Sequence, residues 1–206
     1  MIVKDVFHDI LPEIWPMIVI ITVILVTLRL ASIFKGSKKV VIYRELIMLL
    51  FIIYILCLFH IVTFQDINYG TNNFVPFKEI FRYDIGSAKF IKNIVGNIIM
   101  FIPYGFFASY FLKNRKFSTI GILAIIVSLT IEIVQLNIGR VFDIDDVILN
   151  TIGAIIGYLS YVGLDAISSK LPKIFRSDAF LNILVIVIII FMIIYGFNIN
   201  IYNWYM

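Results

Sequence analysis

The sequence predicts an all-α fold, a polytopic transmembrane helical bundle of about six spans with both termini outside the cell. Three observations carry this reading. Hydrophobic residues make up 62% of the 206-residue chain and charged residues 15%, with a mean hydropathy of +1.04. A water-soluble domain carries about 25% charged and roughly 45–50% apolar residues. Apolar runs approaching the ~20 residues that cross a ~30 Å hydrocarbon core recur along the chain, and basic residues gather in alternate connections between them.

Taken in order, the apolar runs place spans at 15–30, 46–64, 91–112, 119–138, 147–164 and 180–197. Backbone groups cannot stay unpaired in lipid, and these runs lack the alternation of barrel strands, so each is predicted as a helix. The start of the chain is not basic and no small-residue cleavage site follows the first run, so that run is expected to be a retained helix and not a secretory signal. Lys35, Lys38, Lys39 and Arg44 fill the first connection, Lys113, Arg115 and Lys116 the third, and Lys170, Lys173 and Arg176 the fifth. These connections are therefore expected to be cytoplasmic. Asp5, Asp9 and Glu13, then Asp66, Glu79 and Asp84, then Asp143, Asp145 and Asp146 fall on the other side. Lys78, Arg82, Lys89 and Lys92 weaken the contrast in the second connection. The aromatic tail with Trp204 and Tyr205 suits an outer interfacial belt. Within the long second connection Phe74, Phe77, Ile80 and Phe81 recur at helical spacing. They predict either an amphipathic segment on the outer leaflet or a re-entrant cap over a site between helices.

The chain divides into 1–71, two N-terminal transmembrane helices; 72–164, an outer loop and three transmembrane helices; and 165–206, a cytoplasmic loop, the last span and an outer tail. The net charge of +4 is explained by topology, so no nucleic-acid partner is expected. The single cysteine, Cys57, lies in an apolar run and is expected to pack there, without disulfide or metal chemistry. His8 and His60 lack ligand or triad spacing. Arg29 is expected to snorkel to the cytoplasmic surface. Phosphate-binding glycine loops, HExxH and serine elbows are missing from the sequence, and neither a cofactor nor a metal is called for.

Ionisable and amide groups inside spans are costly, so each marks a candidate site. Glu132 and Gln135 share a face of the fourth span, with Glu132 about 9 Å inside its outer end. The fourth connection holds Arg140, Asp143, Asp145 and Asp146. Asn150, Gly153 and Gly157 follow Asp146 on one helical stripe, and Gly153 with Gly157 has a GxxxG spacing that lets another helix approach. Asn93, Gly96 and Asn97 share a face near the outer end of the third span, where Pro103 and Gly105 predict a kink further in. Asn93, Asn97, Glu132, Gln135, Arg140, Asp143, Asp146 and Asn150 thus fall at one depth on three consecutive helices and predict one outward-opening polar pocket. Gly96, Pro103, Gly153 and Gly157 are expected to pack the helices around it. Solvated loop charge, a helix N-terminal acid and interhelical hydrogen bonds are the structural roles that compete with this reading.

Four segments in order, NNFVPF at 72–77, NIVGNIIMFIPYGF at 93–106, EIVQ at 132–135 and GRVFDIDDVILNTIGAIIG at 139–157, resemble the motifs of the VanZ-like membrane protein family. The resemblance covers about residues 72–160. It implies a small bacterial cell-membrane protein linked to low-level resistance to teicoplanin and related lipoglycopeptides. It makes Asn97, Pro103, Glu132, Gln135, Asp143, Asp146, Asn150 and Gly153 the shared positions, and it assigns no residue a catalytic step. The first and last spans match no motif.

Three functions compete on the sequence. The first is a protection protein whose pocket acts on the antibiotic, a cell-wall precursor or a lipid headgroup. Membrane lipids and either a lipoglycopeptide or a lipid-linked wall precursor are then the expected partners. The second is an intramembrane enzyme acting on a lipid-linked wall intermediate, with Glu132 or Asp146 as acid or base. It lacks a nucleophile and any phosphate clamp beyond Arg140, so the chain is not expected to be an enzyme. The third, a small transporter or accessory subunit, lacks the internal repeat common in transporters.

Overall fold

In a computed structural model, residues 2–35, 41–64, 71–113 and 116–190 are described. They form α1 (Ile2–Lys35), α2 (Ile42–Phe64), α3 (Ala88–Leu112), α4 (Phe117–Asn137), α5 (Ile144–Lys170) and α6 (Asp178–Ile190). Among the described residues there is no strand, and an isolated bridge pairs Asn73 with Asp143. Five helices are long and apolar enough to cross a membrane: 15–32 within α1, 42–63 within α2, and α3, α4 and α5 throughout. The sixth expected span is described only as far as Ile190. Its remainder and the expected aromatic belt at Trp204 and Tyr205 lie outside the described residues, as do Lys38, Lys39, Asp66 and Arg115 of the expected connections.

The bundle is assembled around the pairing of α3 with α5, which are not sequence neighbours. A Cβ on Gly105 would sit 1.9 Å from the Ala154 carbonyl oxygen, one on Gly153 2.2 Å from that of Ile98, and one on Gly157 2.0 Å from that of Ile102. Only the missing side chains let the two backbones touch over about two turns of α3. Gly96, on the same helix, has just a single neighbouring atom at 3.6 Å, the Ile91 carbonyl oxygen of its own turn. α4 packs on α5, and α2 closes the group through Leu58 and Val62, which join Phe101, Ala124 and Ala154 in the buried core. Phe51 of α2 packs against Phe107 and Phe111 of α3 with tilted rings, their centres 5.2 and 5.3 Å apart. The opposite faces carry Ile122, Ile126 and Ile133 on α4 and Ile156 and Leu159 on α5, all exposed. An apolar surface this extensive is what helices long enough to cross a membrane present to lipid.

Two local features go beyond the sequence reading. α3 begins irregularly, with a π-helical turn at Ile91–Val95, and then runs as one α-helix over Gly96–Leu112 with Pro103 inside it. Tyr54 of α2 donates to the Met100 carbonyl at 3.0 Å, next to the Ile99 carbonyl that Pro103 leaves without its helical donor. The connection at 71–87 is not an amphipathic helix despite its helical spacing. Pro76 disfavours helix in the residue before it, Phe77 has φ of +67°, and a single 3₁₀ turn forms at Ile80–Arg82. Phe74, Phe77, Phe81 and Ile85 point outward from this loop.

At the opposite end of the bundle, Arg29 of α1 grips both carboxylate oxygens of Glu45 on α2, where sequence suggested a side chain reaching for water. Arg44 pairs with Asp178 at the start of α6 at 3.2 Å.

Candidate functional site

The site forms where α4 ends, α5 begins and the loop at 71–87 folds back over both. α4 presents Glu132 and Gln135 on one buried face, with Glu132 only 1% exposed. The chain then turns at Gly139, whose φ of +85° suits glycine. Asp143 caps α5 by accepting the Asp145 amide at 2.9 Å, which answers one of the unsatisfied amides at the helix start. Glu132 ties the turn to α4: its Oε2 accepts the Asp143 amide at 2.8 Å.

The Gln135 amide, oriented so that both its ends are satisfied, donates to Glu132 Oε1 at 3.0 Å and accepts from Arg140 Nη1 at 2.9 Å. Arg140 Nη1 also donates to the Val62 carbonyl of α2 at 2.8 Å. Asp146 turns the other way, toward α3, and accepts from Asn97 Nδ2 at 2.5 Å. One turn deeper, Asn150 Nδ2 donates to Ser128 Oγ at 2.8 Å. Asp146 to Asn150 and Ser128 to Glu132 are both steps of four residues, so α4 and α5 meet in two polar layers stacked along the bundle.

The loop is clasped onto this frame by its backbone. Asn73 and residues 142–144 exchange main-chain bonds, Asn73 N to Phe142 O at 2.8 Å and Ile144 N to Asn73 O at 3.0 Å. Asn73 Nδ2 donates to Asp143 Oδ1 at 2.8 Å, and the Phe142 amide donates to Asn72 Oδ1 at 3.0 Å. Asp145, also 1% exposed, accepts the amides of Phe77, Glu79 and Ile80 at 2.5, 2.7 and 3.2 Å. A buried carboxylate is tolerable when several donors converge on it. Burial holds the Asp143 carboxyl above the usual carboxylate range, reinforced by the charges of Asp145 and Glu79, against the lowering effect of the Asp145 amide and the Asn73 side chain.

Asn97, Glu132, Gln135, Arg140, Asp143, Asp146 and Asn150 are therefore assembled at one end of the bundle. Asn93 lies half-buried in the π-helical turn before them, and no hydrogen bond among the described residues joins it to the cluster. Sequence reasoning passed over Asn73, Ser128 and Asp145 as site residues. Ser128 was accessible to helical counting, four residues before Glu132. Asn73 and Asp145 depend on a contact across seventy residues that no local pattern signals. Among the described residues no three His, Cys, Asp or Glu side chains converge as a metal ion would need.

The VanZ/LLP1 family model matches residues 46–168, more than half of the chain. Protein VanZ of Enterococcus faecium is 36% identical over 106 residues, which take in 48% of this chain and 62% of that protein. The chain thus spans less than two thirds of that relative's length. No solved structure matches. The matched segment runs from α2 through the loop and α3 to the end of α5, so it contains the whole polar cluster.

Proposed function

The chain belongs to the VanZ/LLP1 family, and on that premise we propose that it contributes low-level resistance to teicoplanin and related lipoglycopeptides at the cell membrane. The polar cluster faces outside in this reading and acts on the antibiotic, a lipid-linked wall precursor or a lipid headgroup. The observation that carries it is the pair Glu132 and Asp146. Two carboxyl groups are placed within membrane-spanning helices and held there by amide donors from Asp143, Gln135 and Asn97. Groups this costly to place in a bilayer belong to function more often than to packing. Orientation is supported by Lys113 and Lys116 between α3 and α4, and by Lys170, Lys173 and Arg176 between α5 and α6. All of these lie at the end opposite the cluster.

A susceptibility panel tests this with a deletion strain, the strain restored with the wild-type gene, and one restored with Asp146→Asn. Deletion is expected to lower the teicoplanin concentration that inhibits growth while leaving vancomycin unchanged. Asp146→Asn is expected to match the deletion although the protein is present in the membrane fraction at wild-type amount. Equal susceptibility across the three strains would reject the resistance role.

A further inference from the structure

We infer that the polar cluster is a receptor for a primary ammonium group, carried either by a membrane lipid headgroup or by a free amine. The inference rests on the cluster being a ligand site, as proposed above, and adds the chemistry of the ligand. Among the described residues, Asn150 Oδ1 and Thr63 Oγ1 are buried side-chain atoms without a hydrogen-bond partner. Asn150 is 2% exposed, and an orphaned amide oxygen at that depth costs free energy unless something donates to it. Asn150 lies directly beneath Asp146 on the same face of α5, and Thr63 follows the residue whose carbonyl holds Arg140. Asn150 is thus a buried orphan acceptor one turn from Asp146.

Three side-chain nitrogens beside these atoms already have acceptors. Asn97 Nδ2 is held by Asp146, Asn150 Nδ2 by Ser128, and Arg140 Nη1 by the Val62 carbonyl and Gln135. The Asn150 oxygen, without a partner, and the Asp146 carboxyl, which receives one hydrogen bond among the described residues, have acceptor capacity to spare, and the Thr63 hydroxyl can accept as well. Charge points the same way. Four acids, Glu132, Asp143, Asp145 and Asp146, stand against Arg140, and of the four Asp146 has the fewest amide donors. A ligand that fits must bring positive charge and several N–H groups. A primary ammonium has three donors and unit charge, whereas a quaternary ammonium has the charge and no N–H. A divalent metal would need a convergence of acids that the described residues lack.

The test uses the full chain in nanodiscs and reads the thermal unfolding midpoint. One arm compares phosphatidylethanolamine discs with phosphatidylcholine discs of the same acyl chains. A second adds ethanolamine or choline, at equal ionic strength, to the phosphatidylcholine discs. The primary amine is expected to raise the midpoint by about 5 °C over its quaternary counterpart, as a saturating ligand of the folded state does. A rise in the first arm alone assigns the ligand to lipid, and a rise in both admits a free amine. Asn150→Leu, which removes the orphan oxygen without adding a polar group, is expected to fold and to lose the difference, and Asp146→Asn is expected to lose it as well. Arg82→Gln, on the exposed loop, should keep it. Equal midpoints for primary and quaternary amines in wild type overturn the inference, as does a difference that survives in Asn150→Leu. Either result leaves the resistance panel to be judged by itself, since a protective site for another ligand class would still register there.

Discussion

Asp145 and Asp146 are adjacent in sequence and about 100° apart around a helix, and that angle gives them opposite partners. Asp145 meets three loop amides and Asp146 meets Asn97 of α3. Asp145→Ala is therefore expected to release the loop, at a cost of about 3–5 kcal/mol for leaving amides without their charged acceptor. Hydrogen exchange should then show lost protection at 77–80 while α4 and α5 keep theirs. Unchanged protection there would remove Asp145 from the clasp. Asp143 sets a pH dependence. Its carboxyl is held above the usual range by burial, so the folded state binds the proton more tightly than the unfolded chain does. Stability from this group is present at acid pH and declines as pH rises from the ordinary carboxylate range through the raised one. Protection factors for 72–80, corrected for intrinsic exchange, should fall as pH rises above the ordinary carboxylate range of about 4, and Asp143→Asn should flatten that fall.

The helices were legible because each carries its own signal. Apolar length alone places α2, α3, α4 and α5 near their observed positions, and the polar violations at Glu132, Gln135 and Asn150 mark the face that turns inward. Less was legible wherever the signal is a partner. GxxxG at Gly153 and Gly157 announces a close approach without saying that α3 supplies it, and the loop's aromatic spacing mimics a helix that Pro76 and Phe77 preclude. The α3 and α5 contact can be tested by contrast. Gly153→Val places a Cβ against the Ile98 carbonyl at 2.2 Å and is expected to destabilise by about 3 kcal/mol or more, beyond ordinary overpacking. Gly163→Ala, on the same helix with nothing within 4 Å, is expected to be neutral or to stabilise by up to ~1 kcal/mol. Detergent-solubilised midpoints that shift equally for the two would discredit the close packing.

At the scale of the molecule, charge asymmetry proposes one orientation and thiol labelling can decide it. Cys57 is the single cysteine, so Cys57→Ser gives a blank background. In intact cells a membrane-impermeant thiol reagent is expected to modify Ile85→Cys, whose loop position is 91% exposed, and to spare Lys173→Cys until the membrane is opened. The reverse pattern would invert the topology and, with it, the side on which the cluster opens. The backbone contact between α3 and α5 also has a consequence in time. α4 separates the two in sequence, so during synthesis α3 and α4 enter the bilayer before their shared partner exists. Until residues 143–150 emerge, Glu132 lacks the Asp143 amide, Asn97 lacks Asp146 and the loop has nothing to clasp. The last core helix to be made is the one that closes the site, so a chain halted short of it holds Glu132 without the Asp143 amide that it accepts in the finished protein.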